Sequence, residues 1–72
     1  MVNFASRITQ LRKERKMTQQ EMADTFGLRV RSYQGYEYNE SRPDVLGLIA
    51  IADFFDVSLD YLVGRSDVRE RR

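Results

Sequence analysis

Neither cysteine nor histidine occurs anywhere in this 72-residue chain. Disulfides, the commonest zinc-ligand sets and nucleophiles of the Cys–His or Ser–His kind are thereby excluded. No other nucleophile–base pair is evident, so the chain is not expected to be an enzyme. No apolar run approaches the roughly 20 residues of a membrane span, and the N-terminus lacks the apolar stretch of a secretory signal. A soluble, cytoplasmic protein with no membrane partner is the expectation. Repeats and low-complexity tracts are missing as well. So is room for a second core, since a chain of this size buries only about 60% of its unfolded surface.

A strong excess of one charge is also lacking: twelve Lys and Arg stand against eleven Asp and Glu, net +1. By itself this is a poor argument for nucleic acid. The charges are unevenly spread, however. Residues 1–42 carry eight basic and five acidic side chains, residues 43–64 no basic ones and four acids, and residues 65–72 return a net +2. A domain that faces phosphates needs its positive charge on one side only, which this asymmetry fits, although neutral helical proteins show similar segregation by chance. Asp53, Asp56 and Asp60 lack other evident ligands and read as a solvated face, so neither a metal nor a cofactor is expected.

What is present is most informative between Met17 and Glu37. Thr18 and Glu21 form a Thr-x-x-Glu capping box, and Met17 and Met22 are spaced to close a hydrophobic staple around it. Gly27 follows Phe26 where a helix would stop, and glycine takes the left-handed conformation of such a stop without steric cost. A second helix then leaves at a steep angle. Two helices joined in this way make a helix-turn-helix, whose second helix enters a DNA major groove.

The rest of the pattern predicts an all-α, five-helix bundle. Phe4, Ile8 and Leu11 recur at helical spacing over about residues 3–15. The second helix runs from Thr18 to about Phe26 and buries Met22, Ala23 and Phe26. The third, about Arg29 to Tyr38, has the weakest local support, because Val30, Tyr33, Tyr36 and Tyr38 favour strand and Gly35 costs about 1 kcal/mol against Ala. Leu28, Tyr33 and Tyr36 nevertheless share one face, which favours helix. Asn39–Pro43 is a loop. Asp44 caps a fourth helix, about Val45–Phe55, and Ser58 a short fifth, about Leu59–Val63, stopped by Gly64. Residues 1–64 thus form the domain, and 65–72, with only Val68 to bury, a flexible tail or linker.

The fourth helix is apolar nearly all round. Val45, Leu48, Ile51, Ala52 and Phe55 are the expected core face, which leaves Leu46, Ile49, Ala50 and Phe54 in need of cover. A two-fold homodimer through helices four and five, with Leu46, Ile49, Phe54, Leu59 or Tyr61 in contact, would space two such DNA-reading helices about one turn, ~34 Å, apart. Packing of Ile49 and Phe54 within the monomer is the competing reading.

The order Arg7…Leu11-Arg12…Arg15…Met17-Thr18-Gln19-Gln20-Glu21-Met22-Ala23…Phe26-Gly27-Leu28 resembles the Cro and phage-repressor type of helix-turn-helix regulator. Tyr36-Glu37, Arg42-Pro43, Ile51-Ala52 and Asp56-Val57-Ser58-Leu59-Asp60-Tyr61-Leu62 stand where that family has its corresponding elements, so the resemblance covers about residues 7–64. It implies the lambda-repressor-like fold and a regulator of transcription, usually dimeric, that binds specific double-stranded DNA.

The resemblance also implies roles for residues. Positions that reach base edges in the family are held here by Arg29, Val30, Arg31 and Gln34. Arginine suits guanine, glutamine can make a two-point contact with adenine, and valine packs on a thymine methyl. Gly35 would let the helix approach the groove closely. Gln19 matches the family's phosphate-contacting glutamine, with Tyr38, Asn39, Ser41 and Arg42 on the backbone across the groove. Arg12 and Glu37 match a structural salt bridge. Arg29 replaces the usual Ser or Thr cap, Gly35 a long polar side chain, Asn39 a glycine, and Glu40 a basic residue. A repressor is the leading expectation, with an antitoxin or other interaction module on the same fold as the alternative.

Overall fold

Each helix opens on a residue with extended backbone, and four of these five residues use their own side chain to take up a free amide of the first turn. The computed structural model describes residues 2–71. Within them α1 spans Phe4–Glu14, α2 Gln19–Thr25, α3 Val30–Glu37, α4 Val45–Phe55 and α5 Leu59–Leu62. Asn3 and Ser6 close a reciprocal box on α1, at 2.9 and 3.1 Å. Thr18 and Glu21 do the same for α2, at 3.0 and 2.8 Å. Asp44 Oδ1 accepts the Gly47 amide at 2.8 Å, and Ser58 Oγ the Tyr61 amide at 3.0 Å. Only α3 starts without such a bond, because its cap position holds Arg29.

The five helices also end alike. Lys16, Gly27, Asn39, Asp56 and Gly64 all have positive φ, between +55° and +84°. In each case the next amide closes onto a carbonyl five residues back: Met17 to Arg12, Leu28 to Ala23, Glu40 to Gly35, Val57 to Ala52 and Arg65 to Asp60, at 2.8–3.2 Å. This is the Schellman stop, which satisfies carbonyls that a helix end would otherwise orphan. Element lengths are therefore set by signals local to the chain.

Packing supplies what local signals do not. Helix α3 lies against both α1 and α2, while α5 packs on α1 and α4. The core is built of Ile8, Leu11, Met22, Ala23, Tyr33, Ile51, Ala52, Phe55, Val57, Tyr61 and Leu62, with Phe4 at its edge. An eight-residue helix rich in Tyr would not hold alone in water; burial of Tyr33, whose ring is wholly covered, decides it.

One expectation is corrected at this level. Val45 does not face the core: it is 66% exposed, and the core contacts of α4 come from Leu48, Ile51, Ala52, Phe54 and Phe55. Residues 65–71 lie against the domain, largely through polar contacts. The Ser58 amide donates to Arg69 O at 2.8 Å, Arg7 pairs with Asp67 and Arg69 with Glu14, each at 3.0 Å, and Arg71 reaches Asp53. No helix among the described residues is long and apolar enough to cross a membrane.

Candidate nucleic-acid interface

The interface is built around the stop at Gly27. Its φ of +67° turns the chain out of α2, and Leu28, tied to Ala23 O at 2.8 Å and packed against the core, anchors the turn. Two residues later α3 begins. With 3.6 residues per turn, Tyr33 and Glu37 fall on its inner side, while Arg31, Gly35 and Tyr38 lie along the outer line. Arg29 and Arg31 are exposed, Gln34 is half-buried at the edge next to α2, and Val30 is half-buried against the core. Ser32, also exposed, shares this outer surface. The sequence reading passed over it, although its place one residue after Arg31 was the available signal.

Glu37 is where the inner and outer sides of α3 meet. Arg12 donates to it from two nitrogens, Nε to Oε2 at 2.6 Å and Nη2 to Oε1 at 3.1 Å, with the two side chains only 14% and 3% exposed. The Tyr33 hydroxyl donates to Oε2, and Gln19 Nε2 to Oε1 at 3.0 Å. Burial alone would raise the pKa of Glu37, yet the bonds from Arg12, Tyr33 and Gln19 outweigh it and hold the carboxyl below its usual range. The Tyr33 phenol is pushed up, first by burial and then by its bond to Glu37. Arg12 is held charged by the same carboxylate.

The ionised carboxylate fixes more than its own partners. It can only accept, so the end of Gln19 facing it must be the NH₂ group. Gln19 Oε1 then points to Gln34 and accepts its Nε2 at 3.0 Å. A one-way chain of donors thus runs from Gln34 through Gln19 to Glu37, and it sets which way the Gln34 amide faces. The sequence gives no sign of this link, because it depends on the relative placement of α2 and α3.

Beyond α3, Tyr38 is exposed and Asn39 takes the left-handed conformation, its Oδ1 accepting from Arg42 Nη2 at 3.0 Å. Ser41 and Arg42 are exposed on the loop. Gly35 does not present bare backbone to an approaching groove. It is covered by Ser41, whose Oγ would stand 2.6 Å from a Cβ at position 35.

In α4 and α5, Leu46, Ile49 and Leu59 are exposed, 76% in the case of Leu46, and Val45 joins them. Tyr61 does not. It is a core residue, with the Arg7 guanidinium 3.7 Å above its ring and its hydroxyl accepting from Gln10 at 3.2 Å. Phe54 likewise turns inward, edge-on to Phe26 and Phe55 and beneath Arg15. Within the monomer Tyr61 is thus buried and Phe54 half-buried. Asp53 and Asp56 lie by Arg71.

A helix-turn-helix family model matches residues 8–62, from α1 to the end of α5. The chain belongs to this family, the helix-turn-helix transcriptional regulators of Cro and phage-repressor type. The regulator is 41% identical over 64 residues to the cryptic phage CTXphi transcriptional repressor RstR of Vibrio cholerae, a match covering 89% of this chain and 57% of that protein. It is 43% identical over 60 residues to YqaE, an uncharacterised helix-turn-helix regulator of Bacillus subtilis, covering 83% and 52%. A crystal structure of a transcriptional regulator from Listeria innocua matches with a TM-score of 0.81 at 33% identity, covering 85% of this chain and 57% of that one. The regulator spans a little over half the length of these relatives.

Proposed function

We propose that this regulator is a sequence-specific repressor that lays α3 in the major groove of a two-fold symmetric operator. The observation that carries the reading is the division of α3 into two sides. Tyr33 and Glu37 lock the inner side into the core, so the outer side holds Arg29 and Arg31 exposed, with Gln34 half-buried beside them and bonded to Gln19. Arginine is suited to the paired acceptors of guanine. Gln34, oriented through Gln19, keeps its Oε1 and one amide hydrogen, the pair that adenine's edge requires. Val30 stands beside them for a thymine methyl. Gln19, Tyr38, Asn39 and Arg42 flank α3, where phosphate contacts would fix its register.

The second subunit would dock on the exposed apolar strip of Val45, Leu46 and Ile49 in α4, with Leu59 of α5. That strip also supports a second reading, in which it binds a different protein and the fold serves as an antitoxin-like module. Selection of bound sequences from a random duplex library, with Arg31→Ala in parallel, tests the first. A palindromic motif that loses one specified base in the mutant is the expected result. No enriched motif from folded protein would overturn it. Salt separates the two readings further, since phosphate contacts give a steep fall of affinity and an apolar interface does not.

A further inference from the structure

Gly35 stands near the middle of the outer line of α3, one turn after Arg31 and just short of a turn before Tyr38, yet it is buried. The core is not what covers it. A Cβ at this position would lie 2.6 Å from Ser41 Oγ and 3.7 Å from Ser41 Cβ, and would meet no other tertiary neighbour within 4 Å among the described residues. The loop is pinned there by the Gly35 carbonyl, which accepts both the Glu40 amide at 2.9 Å and the Ser41 amide at 3.2 Å. So the hydroxyl of Ser41 occupies the place into which a side chain of residue 35 would project.

Ser41 is exposed, and its hydroxyl has no hydrogen-bond partner among the described residues, whereas the next side chain, Arg42, is engaged by Asn39. A hydroxyl both donates and accepts, and can serve either kind of group on a base edge. We infer that Ser41 is a specificity-determining residue, which reads a base edge from the place that residue 35 leaves empty. This rests on the reading of α3 as the groove helix. It separates Ser41 from its loop neighbours, which face phosphates.

The test is the same duplex selection run on wild type, Ser41→Ala and Gly35→Ala, with Arg31→Ala as a position marker. Ser41→Ala is expected to weaken preference roughly three- to tenfold, the range of one net hydrogen bond, at one base pair per half-site beside the pair lost in Arg31→Ala. Gly35→Ala, whose methyl must push Ser41 aside, is expected to alter the same pair. Ser41→Ala removes no bond within the protein and should melt with wild type. Uniform weakening with every preference intact would make Ser41 a phosphate contact and overturn the inference, as would no change at all. A motif that Arg31→Ala alters and Ser41→Ala leaves alone sinks this inference only. A wild type that selects no motif sinks it together with the groove reading.

Discussion

At the scale of single residues, the charge most deeply committed to the fold is Glu37. Replacing Arg12 with Ala leaves a carboxylate that is 3% exposed without its two-point partner. A loss of about 3–5 kcal/mol is expected in urea unfolding, the range for breaking a buried ion pair from one side. The same pair predicts a pH dependence. Glu37 is held below its ordinary value, about 4.3 for an unfolded glutamate, so its contribution is complete above that range and is lost as pH falls through the folded value. Once protonated, Glu37 no longer needs Arg12. The gap in stability between wild type and Arg12→Ala should therefore narrow as pH is lowered from 7 toward 3; a constant gap would show that the pair does not titrate with folding. Thr18, Glu21 and Gly27 were legible from spacing alone, since caps and stops act within four or five residues. The links of Gln34 to Gln19 and of Ser41 to Gly35 were not, because each needs two elements already packed.

At the scale of the helix, the shared stop makes a paired prediction. Lys16 and Asp56 hold left-handed backbone with full side chains, which for an L-residue costs about 1–2 kcal/mol. Lys16→Gly relieves this but gains freedom in the unfolded chain, so a net stabilisation of about 0.5–1 kcal/mol is expected in urea unfolding. Gly27→Ala is the converse. An added Cβ there meets nothing within 4 Å, so any loss isolates the backbone cost, at about 1 kcal/mol. If Gly27→Ala is neutral, the turn has moved to accommodate it. Helices α2, α4 and α5 could be placed from their caps almost to the residue, and α1 from the spacing of Phe4, Ile8 and Leu11. Helix α3 could be placed as closely, but by its shared apolar face and the gap between its neighbours, and it has no side-chain cap; Tyr33 holds it through what it is buried against. In α4 the apolar count was legible but its distribution was not: Phe54 turned in, and Val45 turned out.

For the whole molecule, the exposed strip on α4 makes association measurable. Leu46→Glu changes a side chain that touches little within the monomer. It should leave the thermal melt unchanged, shift sedimentation at high micromolar concentration toward monomer, and weaken binding to a two-half-site duplex more than to a single half-site. Wild type that sediments only as monomer would count against the homodimer and direct attention to a different partner. The division of α3 has a consequence for descent as well. Stability resides on its inner side and, on the proposed reading, sequence preference on its outer side, so substitutions at Arg29, Arg31 or Ser41 would be free to change which operator is read while the fold tolerates them. Relatives with this scaffold should therefore drift in target faster than in shape. The exception is the seam from Gln34 through Gln19 to Glu37, where a change of target also disturbs the carboxylate that holds the helices together, and where drift should be slowest.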